Sequence, residues 1–197
     1  MPQRGRRSAG TRLILILAAL ASVIAGYYLG QYWQRRPLAG LSAVLYPAGQ
    51  AVDYPAGLIT DPGTDSPWRL FLAADTRAPE CEQLLRHYVL VFNRLAAWPE
   101  IQRNLRLSLL AHDQPDRAAI TDFTTGVDWV EVISAAPEPL GRLGAQLGIQ
   151  PDPKAWCSPL TGNAVLVAPD KKRWALIPYE QAAIMARNIR TIIAFVE

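Results

Sequence analysis

Trp68-Arg69-Leu70-Phe71-Leu72-Ala73-Ala74, then Asp75-Thr76-Arg77-Ala78, then Pro79-Glu80-Cys81 reads as a strand, a turn and the start of a helix. The first seven residues are a short apolar run bounded by turn residues, the pattern of a buried strand. Pro79 suits the first turn of a helix, where its missing N–H would be unpaired anyway. From there Leu84, Leu85, Tyr88, Val89, Phe92, Leu95 and Ala96 recur at helical spacing, one apolar face running down to Trp98-Pro99. Cys81 stands at the junction, where a helix N-terminus favours thiolate. Glu80 and Glu82 flank it and oppose that effect, whereas Arg77 would help.

The same alternation continues downstream. Leu105–Ala111 is predicted to be a second strand, ending at His112-Asp113-Gln114-Pro115, and Asp116–Phe123 a short helix. Asp128–Ser134 is a third strand, and Pro137–Leu147 a helix stopped by Gly148. Ala164–Val167 and Arg173–Ile177 read as two strands joined by a tight turn at Pro169-Asp170-Lys171-Lys172, whose basic residues suit a solvated hairpin tip. The last helix, Glu180–Val196, places Met185, Ile189, Ile192, Ile193 and Val196 on one face. Trp68, Trp129 and Trp174 are expected to pack at strand edges or faces. Strand–helix–strand, a hairpin and a terminal helix is the order of a thioredoxin-like α/β domain.

Ahead of that domain, Leu13–Gly30 is almost wholly Leu, Ile, Ala, Val, Gly and Tyr, with no charge between Arg12 and Arg35. About 20 such residues match the hydrocarbon core of a bilayer. Arg4, Arg6, Arg7 and Arg12 precede the span, and Tyr27, Tyr28, Tyr32 and Trp33 gather at its far end. The positive-inside bias predicts a single-pass protein of the inner (cytoplasmic) membrane, N-terminus in the cytoplasm and domain on the periplasmic side. A cleavable signal peptide is the alternative, with small residues at Ala21 and Ala25, but the Tyr-rich tail extends the apolar stretch beyond a tidy cleavage site. The expected layout is a basic flank over 1–12, an anchor over 13–34, a linker and irregular entry over 35–66, and the domain over 67–197. The entry, with a short apolar piece at Ala43–Tyr46 and a turn signal at Asp61-Pro62-Gly63, leads into either irregular structure or a small hairpin.

The formal net charge of +3 owes much to the N-terminal arginines, so the domain itself is close to neutral and nothing points to nucleic acid. No phosphate-binding glycine loop, HExxH or Ser-His-Asp pattern occurs, so no catalytic residue is assigned. His112 lies at a strand's C-terminal end, where α/β folds place functional groups, and with Asp113 and Asp116 it is either a metal ligand or a polar cap. His87 is expected to be a surface histidine, six residues beyond Cys81 and off its face.

Four stretches carry a family resemblance: Trp68–Cys81, Leu107–Asp116, Trp129–Ile149 and Asn163–Lys171. Their order and spacing resemble the Sco/SenC family, membrane-anchored thioredoxin-like copper proteins of cytochrome c oxidase assembly, over most of residues 43–197. The resemblance implies a membrane-protein partner such as a respiratory oxidase subunit. In that family two thiolates and a histidine bind copper, soft and borderline donors suited to that metal. Here Cys81 stands at the second cysteine, Arg77 at the first and Leu160 at the histidine.

In thioredoxin-like folds the loop that here holds Trp156-Cys157-Ser158-Pro159 faces the Cys-bearing helix, often through a cis-proline, and Pro159 is placed for one. Cys81 and Cys157 are therefore either a structural disulfide, two inert thiols or a metal or redox pair. A disulfide closing more than seventy residues would add about 4 kcal/mol. The expectation is a membrane-anchored, non-catalytic Sco-like protein that assists respiratory oxidase assembly by contact. It would carry no cofactor, unless Cys81 and Cys157 bind copper or exchange disulfides. The alternative from another class is a docking subunit of a different envelope complex.

Overall fold

Every residue of β2 (Trp68–Ala73) is buried. The reason is its place in the sheet: β3 (Leu105–Ala111) pairs with it in parallel on one side and β5 (Ala164–Val167) antiparallel on the other. The protein is described from a computed structural model, over residues 9–35, 38, 40–59, 66–74, 79–111, 127–149 and 162–197. It divides into two units, Met1–Gly40 and Leu41–Glu197.

The first unit contains α1 (Ala9–Arg35), a helix of 27 residues. Within it Leu13–Gly30 is long and apolar enough to cross a membrane, and its side chains are exposed all round rather than along one stripe. The hydroxyl of Ser22 donates to the Ala18 carbonyl at 2.9 Å, which satisfies it inside the helix.

The second unit is a six-stranded mixed sheet in the order β1-β6-β5-β2-β3-β4, with β1 Val44–Ala51, β4 Val130–Ser134 and β6 Lys172–Ile177. Leu70 and Leu72 point to one face, where α2 (Pro79–Leu95) and the C-terminal α5 (Ala182–Val196) cover them with Leu84, Tyr88, Phe92, Met185 and Ile189. Phe71 points to the other, where α4 (Pro137–Leu147) brings Leu140, Leu143 and Leu147 against Val165 and Val167. That period of two on a strand with helices on both faces explains why β2 reads as a continuous apolar run. Gly148 closes α4 in the left-handed conformation (φ 74°), as a C-cap glycine does.

Two elements depart from the sequence expectation. The sheet begins at Val44, ahead of residue 67, because β1 pairs antiparallel with β6 as an edge strand. Pro47, Ala48 and Gly49 hid it: they form an irregularity between Leu45 and Gln50 where the register shifts, with φ 60° at Ala48 and 66° at Gly49. A Cβ on Gly49 would lie 3.0 Å from the Lys172 Cβ, so the close crossing needs glycine. The second departure is α3 (Pro99–Arg103), a short helix that turns the chain from α2 into β3. The predicted turn at Asp61-Pro62-Gly63 and helix at Asp116–Phe123 lie outside the described residues.

Inside the second face the apolar pattern is interrupted. Arg69, 4 % exposed, is ion-paired with Glu131 of β4, whose Oε1 also accepts the Ser108 hydroxyl at 2.7 Å. The pair crosses three adjacent strands, and sequence periodicity gave no sign of it.

Candidate functional site

The registers fix which groups share an end of the sheet. β2 and β3 finish together at Ala73 and Leu110, and Ala164 of β5 lies beside Ile177 of β6 and Val44 beside Leu176. The start of α2, the entry of the chain at Leu41–Val44, residues 162–163 and the segment before α5 therefore occupy one end, called here the Cys81 end.

Cys81 lies in the first turn of α2, is 1 % exposed and belongs to the core on the α2 face of the sheet. It is disulfide-bonded, so it presents neither thiol nor thiolate. The chain has two cysteines in all. Cys157 lies outside the described residues, as do Arg77, His112, Asp113, Asp116, Pro159 and Leu160. Glu82, read from the sequence as opposing a thiolate, is exposed and paired with Arg86 one turn on, at 2.6 Å.

Two further residues of α2 reach other segments at this end. Tyr88, seven residues after Cys81 on the same face, is fully buried, and its hydroxyl donates to the Gly162 carbonyl at 2.8 Å. Burial, with a smaller contribution from Tyr179, pushes its phenol far above the ordinary tyrosine value. His87 is not a free surface histidine. Its Nε2 lies 2.7 Å from the Glu180 carbonyl, an acceptor, so that nitrogen carries the proton, and its ring lies 4.5 Å from that of Tyr179. The Tyr179 amide in turn donates to the Asn163 side chain at 3.1 Å. Tyr88 and His87 thus tie the returning segment 162–163 and the approach to α5 onto one helix. Sequence reading took Tyr88 only as an apolar-face position; a tyrosine among Leu, Val and Phe is the signal that a buried hydroxyl needs an acceptor.

Ser42 continues this polar line, donating to the Glu180 carboxylate at 2.6 Å and accepting from Asn188 Nδ2 at 2.7 Å. Asn188 is fully buried, and its Oδ1 has no hydrogen-bond partner among the described residues. The basic hairpin tip is also engaged: Lys172 pairs with Asp170 at 2.7 Å, and the Arg173 guanidinium binds Gln50 and lies 4.4 Å over the Tyr46 ring.

Among the described residues no group of three His, Cys, Asp or Glu side chains could hold a metal ion. The one described donor of the proposed pair, Cys81, is oxidised, and a disulfide sulfur is no thiolate ligand. The described groups therefore do not fit a copper ion.

A central β2 flanked by β3 and β5, α2 and α5 together on one face, and an oxidised cysteine opening α2 define a thioredoxin-like α/β domain. Among solved structures the apo Sco1 protein of Thermus thermophilus is similar to it, with a TM-score of 0.54 and 15 % identity, covering 78 % of this chain and 96 % of that one. Yeast Sco1 (TM-score 0.49, 12 % identity, 66 % of this chain and 84 % of that one) and copper-bound ScoI of Bradyrhizobium japonicum (0.46, 11 %, 63 % and 83 %) are also similar. No protein-family model and no curated protein matches the chain. At these identities the likeness establishes the fold.

Proposed function

We propose that the protein is a Sco-like, membrane-tethered thioredoxin-fold protein that assists assembly of a respiratory oxidase by protein contact, without chemistry of its own. The observation that carries this reading is Cys81: buried and oxidised, it has the state of a structural cysteine in a domain shaped like Sco1. Its partner is Cys157, the one other cysteine. Gly162, which Tyr88 holds two turns below Cys81, comes five positions after Cys157. That climb of about 10 Å along α2 is within reach of five residues. A disulfide in this place accords with an oxidising compartment. Leu13–Gly30 anchors the chain in the inner membrane, residues 1–12 in the cytoplasm and the domain in the periplasm. Confinement to the membrane raises the effective concentration at a membrane partner.

Deletion of the gene in its host should lower oxidase activity, and a chain with Cys81→Ser and Cys157→Ser should restore it. No effect of the deletion would end the oxidase reading. Failure of the double variant, at wild-type abundance, would end the contact reading and leave thiol chemistry.

That second reading, a thiol–disulfide or copper role for Cys81 and Cys157, draws on one observation: Cys81 opens α2 just after a central strand and is oxidised there. Its test is a Cu(I) competition titration of the dithiothreitol-reduced full chain in detergent. Tight one-to-one binding lost in Cys81→Ser supports it, and no competition removes it.

A further inference from the structure

The end of the sheet opposite Cys81 carries a different chemistry. The hydrogen bond from His87 reaches Glu180, and Arg190 lies 4.8 Å from the ring of Trp98, so α2 and α5 run parallel with matching levels about 92 residues apart. The same offset sets Arg94 level with Arg187. With packed helices 8–10 Å apart, Arg94, Arg187 and Arg190 form one exposed group on the side turned away from the sheet. Arg103 of α3 and Arg106 of β3 lie at the same end of the sheet, Arg106 alternating with Leu105 and Leu107 and so set toward the opposite face. No ion pair joins any of these five guanidinium groups to a carboxylate among the described residues. Three are held by other means: Arg190 against Trp98, Arg103 by the Pro99 carbonyl at 3.2 Å, and Arg106 by the Arg103 carbonyl at 2.9 Å.

We propose that this arginine face is a docking surface for an acidic segment of a protein partner. Charge complementarity selects that occupant. Residues 41–197 carry fourteen Lys and Arg against seventeen Asp and Glu, so the face is a basic island on a domain close to neutral, with no wider positive field for a long polyanion. Arg187 and Arg190 are about 4.5 Å apart along their helix axis, a footprint that suits a few carboxylates. Planar guanidinium groups bind carboxylates through two parallel hydrogen bonds. A lipid surface is the competing occupant, and the test below separates it from a peptide. The inference stands on the arginines and does not need the oxidase reading; it names the chemistry a contact partner would present.

The test is fluorescence anisotropy of fluorescein-labelled deca-glutamate with the full chain in neutral detergent, against R94E/R187E/R190E. The triple variant should bind about tenfold more weakly or worse, with a shallower salt dependence. Arg142→Glu, on α4 across the sheet, should bind as wild type. Circular dichroism and melting temperature, unchanged in both, confirm folding. Equal binding by the triple variant, as when the N-terminal arginines carry it, overturns the proposal, and so does an equal loss in Arg142→Glu. Displacement of the peptide by dicaproyl phosphatidylglycerol at lower charge concentration than by unlabelled deca-glutamate makes the face a lipid site and also overturns it.

Discussion

The two ends of the sheet are built by opposite means. At the Cys81 end, three groups of α2 are buried or half-buried and engaged: a disulfide at Cys81, a carbonyl for Tyr88, a carbonyl for His87. At the arginine end, cationic groups stand in solvent and lean on carbonyls and a tryptophan ring rather than on carboxylates. Burial makes each polar contact costly to lose, so the first end specifies one geometry. Exposure makes each contact cheap to exchange, so the second suits reversible association. The same two helices, α2 and α5, supply both ends, and their shared apolar face keeps the distance between them fixed.

The largest break in this contrast is expected at Cys81. Cys81→Ser should lower unfolding free energy in urea by about 4 kcal/mol. If Cys157 is the partner, Cys157→Ser should cost the same and the double variant no more. Reduction of the wild type should bring it to the same midpoint. A double variant less stable than either single would mean the two do not pair.

Gly49→Ala comes next, at about 2 kcal/mol, from a positive φ and a Cβ pressed against the Lys172 side chain. It acts on the edge strand that sequence reading took for linker. Its measure is the melting temperature. No change would mean that β1 contributes nothing to the stability of the sheet.

Tyr88→Phe should cost about 1 kcal/mol by leaving the buried Gly162 carbonyl unpaired. It also carries a pH signature. The Tyr88 pKa is raised in the folded protein, so below the unfolded value of about 10 its contribution is complete, and above it the unfolded chain sheds the proton first. Stability of the wild type should therefore fall as pH rises beyond about 10, and more steeply than that of Tyr88→Phe. Parallel curves for the two proteins would sink the assignment.

How much of this was legible follows from which physical signals are local. Ala164–Val167 and Pro137–Leu147 match their strand and helix residue for residue, because length, flanking turns and Gly148 act over a few neighbours. Only the apolar piece at Ala43–Tyr46 hinted at β1, because Pro47, Ala48 and Gly49 interrupt the pattern and only pairing with β6 makes the whole a strand. The Arg69–Glu131 pair, sixty-two residues apart, leaves no trace in periodicity. Cys81 was singled out from its place at a strand–helix junction, but Tyr88, His87 and the parallel alignment of α2 with α5 depend on contacts 74 and 93 residues apart in sequence. The arginine face is hidden for the same reason, since its members are dispersed from residue 94 to residue 190.

The smallest expected effect sharpens the comparison at the arginine end. Arg190→Ala removes an exposed guanidinium from the Trp98 ring, worth about 0.5–1 kcal/mol at such a site. Arg187→Ala touches no ring and no carboxylate among the described residues, so it should leave stability unchanged. Both should weaken deca-glutamate binding alike, because a peptide carboxylate reads charge and not the contact with Trp98. A pair of variants that differ in melting temperature and agree in binding would separate the two roles of Arg190. If binding instead follows melting temperature, the face acts through the fold, and the contrast between the two ends collapses into one of stability alone.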